Sequence, residues 1–264
     1  MPFTPLRRRR WSVPLLAALL VALTAASAPP AGAQIDPPIT DPLGAVDAWA
    51  NAEALRRLLP DGQRAGREAR KPPKARARTP KPTARELAAL RFTRDPQVTE
   101  RNNQAVVAQL ADGVDPAVVI ADIERNRALA HGALRAFDGR WSSGNLADVA
   151  AFALLSAFAG YHEKPELSSA GSLAVRRSAR AALANSKRIR RTPDAELQTA
   201  AEMTEIRLIY LLAELNRARA AADADAVDGA LVAIRIWVRD VYGLDVTAVR
   251  LTGRGFADRQ RRAG

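Results

Sequence analysis

Residues 145–162, NLADVAAFALLSAFAGYH, decide the fold class. Wound at 3.6 residues per turn, Val149, Phe152, Leu154, Leu155, Phe158 and Ala159 leave almost no polar face. Such a helix sits at the centre of a bundle or is covered by a partner. It falls short of the ~20 residues that cross a bilayer, and His162-Glu163-Lys164-Pro165 closes it with charge. Asn145 is placed to cap its start, with Asp148 three residues on, like a capping box that uses a carboxylate. Trp141-Ser142-Ser143-Gly144 before it reads as a turn.

The chain around this segment carries further helical patterns. Over 95–111, Val98, Asn102, Ala105, Val106, Gln109 and Leu110 trace one stripe, with Asn102 and Asn103 polar within it. Asp115 and Pro116 suit the cap and first position of a helix whose apolar face, Val118, Val119, Ile123, Leu129 and Leu134, reaches about Phe137. Over 169–187, Leu173, Val175, Ala179 and Leu183 share a side. Thr192-Pro193 opens the longest helix, where Asp194 and Glu196 suit the positive end of the dipole. Its stripe includes Leu197, Ala201, Ile206, Ile209, Leu212 and Leu215. A last helix, Val227 to Tyr242, ends at Gly243 as a C-cap, and the tail from Val246 to Phe256 is partly extended. The sum predicts an all-α bundle of about five or six helices over residues 84–264, with a short extended tail that could lie across it.

The N-terminal 33 residues read as an export signal. Arg7 to Arg10 form a basic region, an apolar run covers 13–28, and Ala31-Gly32-Ala33 before Gln34 fits the small-x-small cleavage rule. Ala26-Ser27-Ala28 is a second possible site, and an uncleaved tether is the other outcome. Arg8-Arg9-Arg10-Trp11 resembles a twin-arginine signal, although a bare run of arginines is also an ordinary signal start. The expected location is periplasmic or secreted, with no transmembrane helix in the mature chain. The absence of cysteine excludes a lipoprotein anchor, disulfides and thiolate chemistry, so the core alone must hold the fold.

The net charge of +12 suggests a polyanion binder until it is located. Removing residues 1–33 takes four Arg and leaves 36 basic against 28 acidic groups, a net +8. Residues 34–59 hold a Pro-rich start and a short amphipathic helix from about Leu43. Residues 60–83 carry Arg64, Arg67, Arg70, Lys71, Lys74, Arg76, Arg78 and Lys81 against Asp61 and Glu68, and contain no Val, Ile, Phe, Trp or Tyr. That composition predicts a disordered basic linker, either a solvated spacer or an arm for anionic polymer or lipid. A second candidate polyanion contact is the patch Arg176, Arg177, Arg180, Lys187, Arg188, Arg190 and Arg191, because no acid interrupts residues 167–193. The bland reading is a solvated or internally paired face. It is favoured because no interleaved aromatics or known nucleic-acid module accompany the charge.

Catalytic signals are sparse. His131 and His162 lie on different predicted helices, without a partner at metal spacing and without a G-x-S-x-G or S-x-x-K motif, so both read as surface or helix-end imidazoles. Asp223, Asp225 and Asp228 miss calcium-loop spacing, with Val227 and Ile234 where ligands belong, and read instead as caps of the final helix. Glu202 and Glu205 can share a helix side and could do acid–base work in a cleft. With Arg207 nearby they read rather as a solvated, paired face. Gly253-Arg254-Gly255 is a turn. No catalytic, cofactor or metal residue is assigned.

Arg101-Asn102-Asn103, Asn145-Leu146-Ala147-Asp148, Gly243-Leu244-Asp245, Leu251-Thr252 and Gly255-Phe256 occur in an order and spacing that resembles an uncharacterised family of exported bacterial proteins, a domain of unknown function. The resemblance covers about residues 92–257 and implies an all-helical domain whose Asn and Asp positions act as caps and buried hydrogen bonds. It implies no activity, and the basic linker is this chain's own. The expected function is an exported, non-enzymatic interaction or binding module of the cell envelope. The alternatives are a polyanion binder acting through linker and patch, and a carboxylate-dependent hydrolase. The partner is an unknown protein or envelope polymer, and no cofactor is expected.

Overall fold

The computed structural model describes residues 81–108, 115–136, 141–163 and 167–259. The expected export signal, the helix expected near 43–59 and the basic segment up to residue 80 lie outside the described residues, as do Gln109, Leu110 and Phe137. Within them the chain is helical, with one small hairpin. The helices are α1 (Ala84–Ala88), α2 (Pro96–Val107), α3 (Pro116–Ala136), α4 (Leu146–Tyr161), α5 (Ser169–Ala184), α6 (Asp194–Ala220) and α7 (Ala224–Tyr242). A 3-10 turn, Ile189–Arg191, links α5 to α6. Strands β1 (Val249–Thr252) and β2 (Gly255–Asp258) pair antiparallel, with Thr252 opposite Gly255.

The caps explain most of the boundaries. Asp95 accepts from Gln97 N, and Pro96 supplies a first residue with no donor to satisfy. Asp115 accepts from Ala117 N, Asn145 from Ala147 N and Asp148 N, Ser168 from Gly171 N and Asp223 from Ala226 N. Gly243 ends α7 in the left-handed region at φ 64°. The helix expected over 169–187 stops at Ala184, and the 3-10 turn follows only at Ile189.

Helices α4 and α6 form the centre. Small residues on α4 let the two approach closely: a Cβ on Gly160 would stand 2.7 Å from Leu212 Cδ2. Helix α6 also packs against α2, α3 and α7, while α5 packs on α4 and carries the hairpin. Leu146, Leu155, Leu197, Leu211 and Leu215 are fully buried there, each contributing about 1.5–3 kcal/mol. Amphipathic α7 buries Ala230, Ile234, Trp237, Val238 and Val241 on one face. A smaller core of Val106, Ile123, Met203 and Ile206 joins α2, α3 and α6.

The structure corrects two stripes. On α3, Val118 is 65% exposed, since the whole first turn, residues 116–118, faces solvent. Ala105 is exposed, and the buried face of α2 is Val98, Asn102, Asn103 and Val106. Asn102 turns inward to Glu202 and Thr199 on α6, and Asn103 to Arg127 on α3. The extended tail does close over the bundle. Phe256 meets Phe158 edge-on at 5.0 Å, and Gly171 passes so near the hairpin that a Cβ there would stand 2.8 Å from the Thr252 carbonyl oxygen.

Candidate functional site

Residues Leu90 to Asp95 are an extended strap across the N-terminal ends of α4 and α6. Leu146 N donates to Leu90 O and Phe92 N to Gly144 O, while Thr93 N donates to Asp194 Oδ2. Asp95 N donates to Gln198 Oε1, and Gln198 Nε2 returns a bond to Asp95 O. Charged side chains gather on both sides of this strap.

On one side, the fully buried Asp148 receives Arg176 through Nε and Nη2 at 2.8 and 2.9 Å, and Arg180 through the same two atoms at 2.9 Å each. Ser142 N donates to it as well, at 3.1 Å. Burial pushes the Asp148 carboxyl upward, but the two guanidinium groups outweigh that and hold it below its ordinary value. Asp148 therefore does not complete a capping box at Asn145; its side chain reaches across to α5 instead. Arg176 is buried, its guanidinium carbon 5.1 Å from the centre of the Trp141 ring.

On the other side lie Glu202 and Glu205, which are 0% and 3% exposed rather than a solvated face, because α6 is enclosed by four helices. Glu202 Oε1 accepts from Arg94 Nη1 at 2.7 Å, Thr99 Oγ1 at 2.7 Å and Gln198 Nε2 at 2.9 Å; Oε2 accepts from Asn102 Nδ2 at 2.7 Å. Glu205 Oε1 and Oε2 lie 3.0 and 3.2 Å from Arg94 Nη2. His131 Nε2 sits 2.9 Å from Glu205 Oε1 and 3.0 Å from Arg94 Nη2. One tautomer donates to the carboxylate and the other accepts from the guanidinium. Arg127 adds a third base, its Nη2 on Asn103 Oδ1 at 3.0 Å and its Nε 3.8 Å from Glu205. His131 is thus a half-buried member of an ion-pair network, whereas His162 is the expected helix-end imidazole, capping α4 beside the Val246 carbonyl oxygen.

The basic patch is divided by the fold. Arg176 and Arg180 are committed to Asp148, and Arg190 Nη1 bonds Glu86 at 2.6 Å. Arg177, Lys187, Arg188 and Arg191 are exposed and make no ion pair among the described residues, and Lys81 is exposed ahead of α1. Arg64, Arg67, Arg70, Lys71, Lys74, Arg76 and Arg78 lie outside the described residues. Among the described residues, no three His, Asp or Glu side chains come together as a metal site, and no helix is long and apolar enough to cross a membrane.

One open cleft of about 450 Å³ lies over the strap, walled by Arg91, Thr93 and Phe92 from the strap, by Ser142 and Asn145 ahead of α4, and by Arg180 and Asp194. Of its lining residues only Arg180 stood out in the sequence as a candidate contact, since its walls come from four separate segments.

No family model, curated protein or solved structure matches the chain.

Proposed function

We propose that the protein is an exported, non-enzymatic helical module that binds a partner in the cell envelope. Export rests on the signal pattern of residues 1–33, and the reading includes kinship with the exported helical proteins that residues 92–257 resemble. The observation that carries the non-enzymatic part is the state of Glu202. It is wholly enclosed, and four donors from three elements occupy its oxygens. A general acid or base needs a free lone pair or proton facing a reacting group. Glu202 serves structure in this account, and binding belongs to surfaces such as the open cleft. Two measurements test the reading. N-terminal sequencing of the processed protein should begin at Gln34; an unprocessed cytoplasmic chain removes the export part. A screen against envelope polymers and peptides should detect no turnover; turnover abolished by one polar substitution removes the other part.

Polyanion binding is the second reading, favoured by the four exposed basic side chains Arg177, Lys187, Arg188 and Arg191. Its affinity for lipopolysaccharide, teichoic acid or DNA should fall steeply with salt. Unchanged binding after deletion of residues 60–83 and charge reversal at those four positions removes it.

A further inference from the structure

The cleft over the strap gathers polar groups whose hydrogen-bonding capacity is not spent within the fold. Asp148 is shared between Arg176 and Arg180 at the back of this cleft's Arg180 wall. Arg180 spends Nε and Nη2 on Asp148, which fixes the guanidinium plane and leaves Nη1 without a protein partner among the described residues. Arg91 projects from the strap, exposed and without an ion pair among the described residues. Asn145 uses Oδ1 as the cap of α4, so its Nδ2 donor is unspent. Ser142 Oγ accepts from Gly144 N and keeps its proton to donate. Thr93 adds a second hydroxyl. Against these donors the cleft offers one carboxylate, Asp194, at its edge.

We propose that this cleft binds a single oxyanion group carried on a hydroxylated molecule, with Arg91, Arg180 and Asn145 as its donors and Asp194 accepting from the carrier's hydroxyls. The proposal rests on the binding-module reading and names the ligand class for it. An oxyanion is favoured because charge-assisted hydrogen bonds from guanidinium are roughly twice as strong as neutral ones. Arg180 is also pre-oriented by Asp148, so binding does not have to order it. Asp194 disfavours a polyanion lying along the cleft, since a second negative group would meet it, and favours one charged group among hydroxyls. A phosphate and a carboxylate share this chemistry.

The test is calorimetric titration of the host-processed protein with glucose 1-phosphate, glucuronate and neutral glucose. At least one of the two anions should bind more tightly than glucose, and their ratio identifies phosphate or carboxylate as the preferred group. Arg91→Ala, an exposed change that leaves the Asp148 cluster intact, should weaken that anion about tenfold or more, whereas Arg177→Ala, on the same face but outside the cleft, should not. Three results overturn the site: no anion preferred over glucose, Arg91→Ala without effect, or Arg177→Ala as damaging as Arg91→Ala, which would show diffuse surface attraction. Anion binding accompanied by conversion of the sugar keeps the site and removes the non-enzymatic reading. Absence of anion binding removes the site and leaves that reading to its own screen.

Discussion

Asp148 and Glu202 are two acids treated alike by their surroundings: each is withdrawn from water and compensated by arginine reaching over from another element. Removing one member of a buried pair strands the other, at about 3–5 kcal/mol. Glu202→Ala is expected to lose stability of that order in urea unfolding, because Arg94, Thr99, Gln198 and Asn102 all lose an acceptor. A loss below about 1 kcal/mol contradicts the clamp. For Asp148 the folded carboxyl is held below its unfolded value near 4. Its contribution is therefore fully present above about pH 4 and disappears as pH falls through the lower, folded value. Asp148→Asn should be less stable at pH 7 and should lose less on acidification from pH 4 to pH 2. A wild-type and variant pair whose urea midpoints fall in parallel over that interval speaks against the assignment.

At the scale of elements, local chemistry was legible and distant pairing was not. Asp115, Asn145, Asp223 and Gly243 act at helix ends as their types and neighbours imply, because a cap bonds within three or four residues of itself. Asp148 was read as part of a cap because the sequence shows only its neighbours; its arginines come from 28 and 32 residues away. A trace was nonetheless present, since Arg176 and Arg180 fall on the same side of α5 as Val175, Ala179 and Leu183. The inward asparagines of α2 were a similar trace of polar partners, Glu202 on α6 and Arg127 on α3. No spacing could announce that His131 meets Glu205 across 74 residues.

Two changes probe the elements. The turn from α6 to α7 is a Schellman motif, with Asp223 N on Ala218 O and Ala222 N on Arg219 O, and Ala222 takes the left-handed position at φ 53°. Ala222→Gly should be neutral to stabilising by up to about 1 kcal/mol, as relief of strain outweighs added chain entropy. A clear drop in melting temperature contradicts this. Gly171→Ala meets the Thr252 backbone carbonyl, whereas Gly160→Ala meets a leucine methyl that can swing aside. The first should cost about 1–3 kcal/mol and the second less; the reverse order would show that the hairpin yields more readily than the α4–α6 contact.

For the whole molecule, the overall charge gives a poor guide to the described fold. Three of the seven basic side chains in the 176–191 patch bond acids of the same chain, and the strap turns a fourth segment toward Arg180 to make a cleft. The helical bundle was legible because the apolar content of residues 145–162 permits little else. The cleft was not, because its walls are separated by as many as 103 residues, from Arg91 to Asp194. We propose that the protein holds molecules without changing them. The most direct measurement incubates the processed protein, and a Glu202→Gln variant verified as folded, with host envelope extract, then compares bound and free molecules by mass spectrometry. Retained molecules of unchanged mass, held alike by both proteins, are the expected result. New product masses that appear with the native protein and are missing with folded Glu202→Gln would contradict it.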